Sequence, residues 1–85
     1  MTRKIEFTTG RDYDAPQVLK IEVLHSDTDD FGFTTGKAFF VDHSRYIAGT
    51  VEFISYGDKD KDIGESVLDR YDTGNYYAEI FSRCV

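Results

Sequence analysis

The chain has 85 residues, with 10 Lys and Arg against 16 Asp and Glu, a formal charge of −6, and 15% aromatic side chains. That length supports a single domain, residues 1–85, with one modest core and no second lobe for a cofactor. The acidic balance, with basic residues scattered and no basic stripe, excludes direct nucleic-acid binding and docking on an anionic membrane.

Residues 3–9, Arg-Lys-Ile-Glu-Phe-Thr-Thr, alternate with Ile5 and Phe7 on one side, which predicts a half-buried strand ended by Gly10. Residues 11–16 contain the single proline, Pro16, and read as a loop. Residues 17–25 are the clearest strand, with Leu19, Ile21 and Val23 on one face and Lys20 and Glu22 on the other. Residues 26–30, Ser-Asp-Thr-Asp-Asp, carry turn chemistry, and a short strand over 31–35 precedes Gly36.

Residues 37–42 and 45–56 predict a hairpin around His43-Ser44. Its first arm is apolar on both faces, and Gly49 in its second arm predicts a bulge or bend. Residues 57–62, Gly-Asp-Lys-Asp-Lys-Asp, read as a solvated connector. A helix over about residues 63–73 follows, with Asp62 as N-cap, Glu65 completing a capping box, Ile63, Val67, Leu68 and Tyr71 on one face, and Gly74 just past its end. Alternation returns over residues 75–84 as a last strand. The expected fold is α+β: a small twisted antiparallel sheet of five or six strands with one short helix near the C-terminus. Phe7-Thr8-Thr9-Gly10 recurs as Phe33-Thr34-Thr35-Gly36, which reads as a shared strand ending.

The longest apolar run, residues 38–41, falls far below the ~20 residues that cross a bilayer. The opening residues hold no apolar signal core, and the lone Cys84 forms no intrachain disulfide. These features point to a cytoplasmic protein. Asp42-His43-Ser44 contains the residue types of a catalytic triad, but adjacent strand residues point apart, so the segment reads as a polar turn. His25 and His43 read as surface residues and Cys84 as a packing residue. No enzyme chemistry is expected, and no cofactor.

Residues 58–69 place Asp58, Asp60 and Asp62 at positions 1, 3 and 5 and Asp69 at position 12 of a calcium-type loop. The glycine is one position late, position 12 is Asp rather than Glu, and two lysines intervene, so these four are weak metal candidates. The same aspartates suit a helix N-terminus.

What remains is a surface of interleaved carboxylates and tyrosines. Tyrosine is a favoured interface anchor, and spaced carboxylates resemble a phosphate backbone. The expected function is therefore a non-enzymatic inhibitor that blocks a basic, nucleic-acid-binding surface on a larger protein partner. Asp27, Asp29, Asp30, Asp58, Asp60 and Asp62 are its acidic contacts, and Tyr13, Tyr71 and Tyr76 its anchors. In size, charge and economy of sequence the chain resembles the small acidic α+β proteins by which phages disable host defences, anti-CRISPR proteins among them; the likeness carries no site residue across. Two alternatives stand beside this reading: a calcium-stabilised binding module, and a structural or assembly subunit that pairs by an edge strand, including as a homodimer.

Overall fold

A computed structural model describes residues 3–9 and 17–79. Strands β1 (Arg3–Thr9), β2 (Gln17–Thr28), β3 (Phe33–Asp42) and β4 (Ile47–Tyr56) are followed by helix α1 (Asp60–Asp72) and a short β5 (Tyr77–Glu79). All neighbours are antiparallel and the sheet order is β1-β2-β3-β4-β5, a meander interrupted by the helix. The expected α+β architecture is present. No described helix is long and apolar enough to cross a membrane.

The period-2 pattern sets which face is buried. Ile5, Leu19, Ile21, Val23, Ala38, Phe40, Val51 and Phe53 project from one face and pack against Ile63, Val67, Leu68 and Tyr71 of α1. Burying a side chain of this size contributes roughly 1.5–3 kcal/mol, so this layer supplies most of the driving force for folding. Gly64 lets the helix approach β1: a Cβ there would collide with the ring of Phe7. On the opposite face the register sets Lys4 beside Glu22, Glu6 beside Lys20, and Lys37 beside Glu52. Opposite charges face each other there, as cross-strand pairing favours.

Several boundaries differ from the sequence reading; the expected second hairpin arm, 45–56, begins at Ile47. β2 continues to Thr28, through residues read as a turn, and β3 begins at Phe33 and runs unbroken through Gly36. The reason is a register shift between Val23 and His25. This β-bulge changes the phase of alternation, so residues 25–28 do not continue the pattern of 19–23. Thus Phe33-Thr34-Thr35 opens a strand while Phe7-Thr8-Thr9 closes one. Gly49 is no bulge, because the β3–β4 register passes through it without a shift. Its Cα lies so close to the Tyr77 carbonyl and the Tyr76 ring that a Cβ would clash with both.

The helix also starts earlier than its capping pattern suggests. Asp60 and Asp62 lie in its first turn, the N-cap position is Lys59, and no side chain caps it. The Asp62–Glu65 capping box does not form; the two aspartates instead place negative charge at the positive end of the helix dipole. The C-terminus follows the sequence reading. Gly74 takes φ +77°, its N–H donates to the Tyr71 carbonyl at 3.1 Å, and the Asn75 N–H donates to the Arg70 carbonyl at 2.8 Å. Those two bonds are the Schellman pattern. The last strand is described only over Tyr77–Glu79. The loop expected at 11–16 and Cys84 lie outside the described residues, as does Tyr13.

Candidate interaction surface

The β2–β3 turn is built by Asp29. Its N–H donates to the Phe33 carbonyl at 2.9 Å, and its carbonyl accepts the Gly32 N–H at 3.2 Å. Gly32 supplies the left-handed φ of +88° that closes a three-residue hairpin loop. One oxygen of the Asp29 side chain accepts the N–H groups of Phe31 at 2.9 Å and Phe33 at 3.0 Å. Most of the Asp29 bonding capacity is therefore spent on its own turn. That turn holds the Phe31 ring out in solvent, 81% exposed.

Register then decides what surrounds this tip. Phe33 pairs with Tyr56 across β3 and β4, and their rings meet edge to face at 5.1 Å. One row inward, Asp27, Thr35 and Ile54 are successive register partners across β2, β3 and β4. Phe33, Ile54 and Tyr56 are 41%, 58% and 76% exposed. Asp58 follows two residues after Tyr56, at the same end of the sheet as the β2–β3 turn. The acidic stretch at 27–30 and the one beginning at 58 therefore lie at the same end of the sheet, at the ends of strands separated by β3. They are far apart in sequence and are brought together only by the meander.

The expected contact residues separate into two groups here. Asp60 is paired with Arg3, whose Nε donates at 2.9 Å. Asp62 is half-buried, with its carboxylate against Gly57. Asp29 holds its turn. Asp27, Asp30 and Asp58 are exposed, and among the described residues none of the three has a cationic partner. The aromatic anchors fare differently. Tyr76 is half-buried, edge to face with Phe40 and Tyr71. Tyr71 is only 5% exposed and belongs to the core, so it offers no surface to a partner. The exposed aromatics at this end are Phe31, Phe33 and Tyr56, none of them among the expected anchors. The Asp29-Asp30-Phe31 run was one available signal.

The opposite end of the sheet holds the most elaborate polar cluster. Asp42, fully buried, accepts the Ser44 N–H at 3.0 Å, the Ser44 hydroxyl at 2.6 Å and the Tyr71 hydroxyl at 2.8 Å. The Arg45 Nε lies 3.9 Å from the same carboxylate, and its guanidinium stands 5.9 Å from the centre of the Tyr71 ring. Burial, the hydrogen bond to Asp42 and the Asp42 charge push the Tyr71 phenol up from 10.0 to about 12, against the opposing pull of Arg45. Asp42 and Ser44 thus form a turn brace in which the serine hydroxyl donates to the carboxylate. A nucleophile-and-base arrangement would need a histidine between them.

The calcium-type spacing is not realised as a loop. Its third to twelfth positions, from Asp60 to Asp69, run along α1, which fans the carboxylates out along a helix instead of converging them. Among the described residues no group of three or more His, Cys, Asp or Glu could hold a metal ion. No protein-family model, curated protein sequence or solved structure matches the chain.

Proposed function

We propose that the protein is a non-enzymatic binding protein that occupies a basic, nucleic-acid-binding surface of a larger protein and thereby blocks it. One observation carries this reading: the exposed carboxylates Asp27, Asp30 and Asp58, none of them in an ion pair among the described residues, share one end of the sheet with the exposed side chains of Phe31, Phe33, Ile54 and Tyr56. Exposed carboxylates that are not held in ion pairs attract a basic surface and steer its approach. Aromatic side chains on a rigid turn supply the short-range contact area that interface anchors use. Elsewhere on the outer face, the register sets lysines opposite glutamates across the strands.

The experiment is capture of the partner from native host extract, followed by titration with both proteins purified. Nucleic acid added to the complex is expected to compete, and affinity to fall at least about tenfold between low and high ionic strength. A partner that holds nucleic acid and this protein together, with affinity indifferent to salt, overturns the reading.

A further inference from the structure

We infer that the exposed rings at the β2–β3 turn end of the sheet receive an arginine side chain of the partner in preference to a lysine, with its guanidinium laid on the Phe33–Tyr56 pair and its fork toward Asp27. This rests on the proposed basic partner and specifies the side chain by which that partner is recognised.

Register builds the seat. Asp27, Thr35 and Ile54 form one row across β2, β3 and β4, and Phe33 and Tyr56 form the next row toward the turn on the same, helix-free face. Asp27 is thus the diagonal neighbour of Phe33, at about 7–8 Å, a span that long side chains bridge. The Phe33 and Tyr56 rings stand at 79° to each other. In an edge-to-face pair one ring keeps both of its faces clear of its partner and the other keeps one. Tyr56, 76% exposed, therefore has a ring face open to solvent whichever part it plays. Asp27 and Asp30 are exposed and hold no hydrogen bond or ion pair among the described residues. Two lysines stand nearby: Lys37, on the other diagonal of Asp27 and facing Glu52, and Lys59, next to Asp58. With both counted, residues 27–37 and 52–59 hold five carboxylates, Asp27, Asp29, Asp30, Glu52 and Asp58, against two cations, so this end stays anionic.

The chemistry of the seat separates the two cations. A lysine ammonium is compact and strongly hydrated, so open rings give it little in return for the water it sheds. A guanidinium is planar and weakly hydrated, stacks on aromatic faces, and presents paired N–H donors that match a carboxylate. Phe33 and Tyr56 supply the faces and Asp27 the acceptor. Ile54, 58% exposed beside Tyr56 on the same strand face, offers apolar surface to the methylene stem. Two copies of this chain meeting through this end would set anionic surface against anionic surface, which disfavours self-association there.

The test titrates the full ¹⁵N-labelled chain at low salt with two end-blocked peptides of equal charge, five Arg-Gly repeats and five Lys-Gly repeats. The Arg-Gly peptide is expected to bind at least about threefold tighter and to shift the amides of Asp27, Phe33 and Tyr56. In the variant Phe33→Leu, Tyr56→Leu, which keeps apolar bulk and removes the rings, the two peptides should bind alike, with the Lys-Gly affinity unchanged. Tyr56→Leu alone, at an exposed position, should narrow the preference in the same direction and serves if the double variant fails to fold. Equal binding of the two peptides to wild type overturns the choice of arginine, yet leaves the basic-partner reading standing. An arginine preference that survives loss of the rings, or that shifts amides elsewhere, overturns this seat. Absence of binding by either peptide overturns it as well; the competition experiment above then decides separately whether a basic partner exists. Concentration-dependent dimers in sedimentation that shift the Phe33 and Tyr56 amides without peptide assign the rings to a second copy and overturn the arginine occupant.

Discussion

Asp29 and Asp42 perform the same local task at opposite ends of the sheet and end in opposite electrostatic states. Each side chain accepts N–H groups from the turn that follows it. Asp42 is buried and also receives two hydroxyls, with Arg45 close by. Asp29 stays in solvent beside Asp27 and Asp30, with no described cation to balance them. The contrast teaches that a turn aspartate becomes structural or available according to what the tertiary fold packs around it. The Asp42 end is internally satisfied. The Asp29 end carries surplus charge and exposed rings.

The contrast is most sharply broken at Asp42. Asp42→Ala strands the buried Tyr71 hydroxyl and frees the turn, so chemical denaturation should show a loss of about 3 kcal/mol, with partner affinity of the folded protein unchanged. Phe31→Ala should do the reverse: a stability change within about 0.5 kcal/mol and a weakening of partner binding by about 2 kcal/mol, read by calorimetry. A large loss of stability in Phe31→Ala would mean that the ring belongs to the fold.

Tyr71→Phe probes the buried end through pH. The folded phenol titrates near 12 against 10.0 for the free group, so the folded state holds the proton more tightly. Its contribution is fully present below pH 10.0 and is lost as pH rises through about 12. Wild type should therefore lose stability relative to Tyr71→Phe across that window, and parallel curves would contradict the buried-phenol assignment. At neutral pH the substitution should cost about 1–2 kcal/mol. Asp29→Ala should cost about 1 kcal/mol, because two turn N–H groups lose their acceptor to water, and Asp29→Asn should restore most of it.

The fold was legible because its driving pattern is local. Ile5 and Phe7, then Leu19, Ile21 and Val23, announce strands by alternation, and Ile63, Val67, Leu68 and Tyr71 announce a helix by their spacing. The Val23/His25 bulge was not legible, since a phase shift over polar residues looks like a turn. Gly49 signals equally a bulge and a close approach, and only the position of Tyr76 and Tyr77 decides between them. For the surface, the acidic segments were visible, but their meeting at one end depends on strand register. Tyr71 looked like an anchor because one sequence position cannot say whether a helix face meets solvent or sheet. Ile63 and Val67 on the same face were the available warning.

The most direct test is the salt dependence of partner affinity for wild type and for the combined variant Asp27→Asn, Asp30→Asn, Asp58→Asn. The three changes should leave stability within about 0.5 kcal/mol of wild type. The account predicts a distinctly shallower salt dependence and weaker low-salt binding in the variant, since these carboxylates meet the partner's cations. Superimposable salt curves for the two proteins would contradict it.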